Sequence, residues 1–578
     1  MNELLLEPLK FYERVGKQEH AKNAEEFFEK LLKDSRIDAE QNRATVKAYH
    51  KTKAAADKVR SKLRRKKVLR VFLIIGIVLC GILAIVSIGE LSSSPGLGAG
   101  LLAGGVLGLV GGILLLVKKL NPAIRSANEK LEKHLAKAEE LLAEAEAQMA
   151  PLNALFDNTD ALRLLEKTIP ELVFDDRYSV EQERFFINDH DFVELGNLET
   201  SVTNTLSGRF AGNPFLFCDT LAHEIRSQTY HGTLLISWTE TYRDSQGRLQ
   251  TRRRTQTLHA SVVKPKPEFY RHNYLCYGCQ AAPDLTFSRS PQHSERLSEK
   301  EIERKVQKGA KKLKKKAEKS TKKGGNFQEM ANSEFDVLFG AENRDHEVQF
   351  RLMYTPLAQC NTVDLLTSKT GYGDDFHFHK YRRFNVITSE HAQGRDIDTS
   401  AEHYYSYDVD EAKRKFLAFN ADYFKSVFFD FAPLLSVPAY AEEPCAALEP
   451  IGDVKRYYTD YEHEVMANAL GGYAFAHEHT ATNAILKTRF LQKSRGEDRV
   501  EVTAYSYAAA DRVDFIPVFG GDGRMHAVPV PWVEYIPLEK RSEMRVGKAP
   551  VSQRELRKAE LFKNDKAAYY HGMSARIL

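Results

Sequence analysis

Cysteine is scarce and scattered: six in 578 residues, at positions 80, 218, 276, 279, 360 and 445. That excludes a disulfide framework and suits a reduced compartment. Cys276 and Cys279 have the spacing of half a zinc site, but no second CxxC or nearby histidine pair completes four ligands. A strong charge of one sign is missing too. The formal net charge of +4 is small for this length and gives no general reason to expect nucleic acid.

Catalytic signatures are likewise absent. There is no GxxxxGK[ST] phosphate loop and no GxSxG nucleophile elbow. His-Glu occurs at 223–224, 463–464 and 477–478, but four residues after each histidine come Ser227, Ala467 and Ala481, so no HExxH zinc motif exists. His377 and His379 alternate, as do His477 and His479, and acids at 374, 375, 464 and 478 lie beside them. Their convergence in one cleft would make a metal-dependent hydrolase. No cofactor is implied, no catalytic or metal residue is assigned, and the chain resembles no named family.

Two long apolar runs are present. Val71–Gly89 and Gly96–Val117 carry no charge. At about 1.5 Å per residue they reach roughly 28 and 33 Å, enough for a hydrocarbon core of about 30 Å. Lys58, Arg60, Lys62, Arg64, Arg65, Lys66, Lys67 and Arg70 precede the first run, and Lys118, Lys119 and Arg125 follow the second. The break between them has one acid, Glu90, and no cation. Basic flanks stay on the cytoplasmic side. The expectation is a multi-pass protein of the cell (inner) membrane with both termini cytoplasmic. Ionisable residues within a span mark transport pathways. The runs contain none, which leaves an oligomeric channel-like assembly as the weaker alternative.

The second run repeats glycine every four residues, at Gly96, Gly100, Gly104, Gly108 and Gly112. On a helix these form one groove where another helix approaches closely. Gly76, Cys80 and Ala84 of the first run form a matching face. Such a glycine zipper serves packing inside the hairpin or a homo-oligomer.

The rest divides by texture. Residues 1–67 read as an N-terminal helical segment and 68–119 as the transmembrane hairpin. Residues 120–170 read as a coiled-coil-like stalk. Its seam runs Ile124, Asn128, Leu131, Leu135, Ala138, Leu142, Ala145, Met149, Leu152, in steps of four and three. Val46, Tyr49, Lys53, Ala56, Arg60 and Leu63 form a weaker ascending seam. Residues 171–293 and 326–545 read as two α+β regions with long antiparallel hairpins. The strands 229–242 and 249–264 place Leu234, Ile236 and Trp238 on one face, opposite Leu258, Ala260 and Val262. Further on, 500–507 and 513–519 read as two strands, 525–536 returns, and Pro529, Pro531 and Pro537 mark an edge. Residues 546–578 read as a basic tail, helical or loose.

Residues 294–325 read as a lysine-rich linker or an amphipathic helix. From Arg304 to Lys323 there are eleven cations and one acid. Ile302, Val306, Leu313 and Ala317 form a thin apolar stripe, so Lys311, Lys312, Lys314, Lys315 and Lys316 are candidates for anionic-lipid headgroups. The functional expectation is a membrane-anchored scaffold, sensor or interaction protein with an unknown cytoplasmic partner.

Overall fold

The structure is a computed structural model. It describes residues 3–90, 95–192, 199–243, 245–394, 397, 399–442, 455–548, 567–570 and 573–578. About half the chain is helical and about 30% is strand, with two apolar helices and a large antiparallel α+β region. The chain forms two compact units: residues 21–161 with 400–421, and residues 1–20 with 162–399 and 422–578.

The helical unit is built on α1 (Ala39–Glu90), α2 (Pro95–Leu115) and α3 (Asn121–Asn153). Helix α1 carries the basic flank and the first apolar run without interruption, because the segment contains no proline and few β-branched residues before Val68. It runs antiparallel to α3: Gln148 donates to Thr45 Oγ1 at 3.1 Å, and Lys66 donates to the Ala123 carbonyl at 3.4 Å. The seam positions Val46, Tyr49, Ala56 and Leu63 are buried, while Lys53 and Arg60 are exposed. On α3, Ile124, Ala138, Ala145, Met149 and Leu152 are buried and Asn128 is exposed. At its base Phe28, Phe156 and Phe416 pack ring against ring, and Arg43 pairs with Asp410 at 2.9 Å.

The second unit holds two antiparallel sheets. The first has seven strands in the order β1-β2-β3-β4-β7-β6-β5. They are β1 (Leu172–Phe174), β2 (Thr200–Phe210), β3 (Asn213–Arg243), β4 (Leu249–Gly278), β5 (Thr286–Arg289), β6 (Phe376–Tyr381) and β7 (Phe384–Ser389). The second has β8 (Ile485–Ser494), β9 (Glu497–Phe519), β10 (Met525–Lys548), β11 (Ala567–Tyr570) and β12 (Met573–Ile577), in the order β11-β12-β10-β9-β8.

Two features differ from the sequence reading. Residues 500–519 form one strand, since the weak β-formers at 508–512 are carried by pairing to 532–536. The C-terminal segment, expected as helix or tail, supplies β12, which pairs with Met544–Lys548.

Alternation puts apolar side chains on both faces of the first sheet. Phe210, Phe215, Phe217, Leu275 and Phe287 lie in one core with Phe431 of α7 (Val409–Leu435). Leu216, Cys218, Cys276 and Phe384 lie in another, with Phe186 of α4 (Val180–His190) and Val465 of α8 (Asp460–Ala469). Two-sided burial of this kind stabilises by roughly 25 cal/mol per Å² of apolar area. Two further helices, α5 (Glu299–Lys322) and α6 (Ser333–Phe339), belong to the first core.

Candidate functional site

The histidine and acid positions are dispersed into separate local groups. His377 and His379 are exposed on one face of β6. The neighbouring acids are buried and engaged elsewhere. Asp374 pairs with Arg289 and accepts from the Gln292 and Ser294 amides at 3.1 Å. Asp375 lies 2.7 Å from His391 Nδ1, and Asp430 lies 3.5 Å from its Nε2. The ring of Tyr372 stacks on His391 at 3.8 Å, with Lys425 on Tyr372. Burial disfavours charge on His391, but Asp430 and Asp375 outweigh it and hold the imidazole above its ordinary pKa.

The second cluster behaves alike. His463 is buried on α8, 3.2 Å from Asp498 and 3.6 Å from Asp460. Burial opposes its charge, and the two carboxylates raise its pKa regardless. Glu464 pairs with Lys487 at 2.5 Å and accepts from the Val202 amide. His477 and His479 are exposed, their rings 5.2 Å apart. Among the described residues no three His, Cys, Asp or Glu side chains gather as metal ligands. Cys276 and Cys279 are buried, and burial pushes the Cys276 thiol well above its usual pKa, so it is a core side chain rather than a ready thiolate.

The lysine-rich segment is a helix over Glu299–Lys322, started by a Ser298–Glu301 capping box. Its apolar stripe faces protein: Leu313 is buried, Ile302 and Val306 join the first core, and a Cβ on Gly309 would meet Val337 of α6 at 2.5 Å. Lys312 and Lys316 reach Glu342 at 3.3 and 3.1 Å. Lys311, Lys314 and Lys315 are exposed. The sequence pattern registered the stripe but not what it covers.

The two apolar runs lie in helices long and apolar enough to cross a membrane, and among the described residues almost none of their apolar side chains is buried in the protein. The pair packs through small residues. A Cβ on Gly108 would sit 2.8 Å from Cys80 Sγ, one on Gly112 2.6 Å from Ile77, and one on Gly105 3.1 Å from Ala84. Gly76 and Gly104 have open space beside them. Gly96 and Gly100 lie at the start of α2.

The remaining candidate is an arm made by the long hairpins. Beyond Ala222, β3 leaves β2 and continues with β4 alone; beyond Tyr505, β9 leaves β8 and continues with β10. The β3 portion alone spans about 70 Å at roughly 3.3 Å per residue. The two ribbons stack face to face. Ile236 and Leu258 of one bury against Val528 of the other, with Leu234, Trp238, Ala260 and Val518 around them. Lys264 reaches Asp514 at 2.7 Å and lies over the Trp532 ring, whose Nε1 donates to Asp514 at 2.9 Å. The β9–β10 turn ends over the β3–β4 ribbon, where the Gly521 amide donates to Gln256 at 2.7 Å. Residues 239–243 and 245–253 extend past that point and carry Arg243, Arg248, Arg252 and Arg253, all exposed.

The outward face of the β9–β10 ribbon is apolar. Val513, Phe515 and Phe519 are exposed, and across from them lie Pro531, Pro529 and Met525. Phe515 is 66% exposed and Phe519 65%. No charge lies on this face between 513 and 519 or between 525 and 531, since Asp514 and His526 point to the other ribbon's side. Sequence reasoning found the strand but missed the face. The available signal was that both parities of 513–519 are largely apolar, while a two-stranded ribbon can bury only one. Comparisons with protein-family models, with curated proteins and with solved structures find no match to this chain.

Proposed function

We propose that this chain is a membrane-anchored interaction protein, a scaffold or sensor without a recognisable catalytic motif, whose working surface is the twin-ribbon arm. The apolar hairpin anchors it in the cell (inner) membrane as two spans, and both termini stay cytoplasmic because the cations flank the outer ends of the pair. Helices α1 and α3 continue the anchor as a coiled-coil stalk. The lysines 311, 314 and 315 add electrostatic attraction to anionic headgroups. The observation that carries the reading is the uncharged face of Val513, Phe515, Phe519 and Met525, held in water on a stacked pair of ribbons. Exposed apolar patches with a rigid backing belong to protein–protein contacts.

A photo-crosslinking residue placed at Phe515 in the full chain tests this in native membranes. A discrete adduct at Phe515, absent with the same probe at exposed Arg512 of the same strand, is the expected result. A folded, carbonate-resistant protein that gives no adduct at Phe515 would remove the interaction reading. Extraction by carbonate would instead remove the anchor reading.

A further inference from the structure

The arm has four strand edges with no partner among the described residues, and three of them contain proline. Pro265 and Pro267 lie on β4, Pro517 on β9, and Pro529, Pro531 and Pro537 on β10. A proline on an edge removes the N–H that another strand would use, which guards against pairing. Strand β3 has none between Phe215 and Arg243.

The direction of its free groups is fixed by the structure. The His223 amide donates to the Glu199 carbonyl, on the β2 side of β3. Register with β4 continues without a bulge from Phe215 to Arg243. The odd-numbered residues of β3 therefore aim N–H and C=O at the open edge past the end of β2. From 225 to 241 none of them is Asp, Glu, Lys or Arg, and six of the nine are Thr or Ser. All nine side chains are exposed. An edge about 55 Å long, at roughly 3.3 Å per residue, is thus left without proline, charge or bulge.

We propose that this edge pairs antiparallel with the same edge of a second copy of the chain, about a twofold axis at Thr233. The charges select the register. With the axis at Thr233, Arg226 of each copy faces Glu240 of the other, and Thr or Ser faces Thr or Ser at 227, 229, 233, 237 and 239. Moving the axis to Gly232 sets Glu224 against Glu240, a repulsive pair. Moving it to Leu234 leaves Arg226 opposite Tyr242. Arg226 and Glu240 are about half exposed, and each now bonds within its own ribbon, Arg226 to Glu224 and Glu268 and Glu240 to Arg254, so pairing across the edge exchanges these partners for the other copy's. The result is one continuous four-stranded ribbon, formed by main-chain hydrogen bonds in the manner of strand addition. This surface is separate from the Phe515 face and needs no membrane anchor.

Site-specific disulfide trapping in the full chain tests it. On the axis, two copies of position 233 stand in a hydrogen-bonded pair with Cα atoms about 5.5 Å apart, within disulfide reach. Thr233→Cys is expected to give a covalent dimer on mild oxidation, several-fold above Thr257→Cys, a site on β4 that is also exposed and reports background from Cys80 and Cys360. Arg226→Glu or Glu240→Arg in the Thr233→Cys chain lowers the yield, and the two together restore it, which a folding defect would not do. Equal trapping at 233 and 257, indifference to the charge changes, or trapping of Thr233→Cys to a different protein would each overturn the pairing.

Discussion

Gly232 of β3 lies directly against the Pro529 carbonyl of β10, so a side chain at 232 has no room between the two ribbons. This is where backbone meets backbone in the arm, which also buries Ile236 and Leu258 against Val528. The contact also explains a glycine in the middle of a strand rich in β-branched residues, where it otherwise weakens the strand.

Gly232→Ala is therefore expected to push the ribbons apart and cost about 1–3 kcal/mol, the usual range for overpacking. Limited proteolysis would report it as faster cleavage within 225–270, with the base of the first sheet still protected. Unchanged cleavage would mean that the ribbons do not bear on each other at this point.

In the apolar hairpin, Gly108 and Gly104 have opposite surroundings. Gly108 faces Cys80, and Gly104 faces open space. Gly108→Leu is expected to separate α1 from α2 and lower thermal stability in detergent. Gly104→Leu leaves the hairpin intact, and a loss of oligomer size with that variant alone would assign the open groove to self-association. Identical behaviour of both variants contradicts the packing.

His391 links stability to pH. Its pKa is raised in the folded state, so the stabilisation it provides is complete below the unfolded value of about 6.5 and is lost as pH rises through the folded value. The groups facing it are Asp375, Asp430, the Tyr372 ring and the Ser426 carbonyl, with Lys425 behind Tyr372. His391→Gln is expected to cost most at acidic pH and less toward alkaline pH in urea unfolding. A pH-independent difference would exclude the charged imidazole.

Arg289 and Asp374 form an ion pair with both side chains fully buried. Arg289→Met preserves volume but strands the carboxylate, which keeps only the Gln292 and Ser294 amides. The expected loss is about 3–5 kcal/mol, measured by denaturant titration. A loss under about 1 kcal/mol would show that Asp374 protonates without penalty.

Much of the packing was legible from spacing. Period two placed Leu234 and Ile236 on the same face as Leu258, and period three-and-a-half placed Val46, Tyr49, Ala56 and Leu63 on the buried side of α1. The prolines at 529, 531 and 537 marked a strand edge for the simple reason that they lack an N–H. The histidine and acid clusters show what spacing leaves out. Neighbours in sequence such as His377 and His379 share a face, yet the partners that matter for a buried imidazole come from far away, as Asp375 and Asp430 do for His391.

The sequence by itself determined the local periodicities: two uncharged runs long enough for a bilayer, the basic flanks, the heptad seam and the hairpins. These are short-range properties, set by side-chain chemistry at fixed spacing. Only the tertiary structure decided that the lysine helix turns its apolar stripe inward, that 500–519 is one strand, and that two ribbons stack at Gly232 and Pro529, 297 residues apart in the chain. Such contacts depend on which surfaces meet after the chain has closed long loops. No local pattern encodes that choice, and it is the choice that leaves the Phe515 face and the β3 edge open.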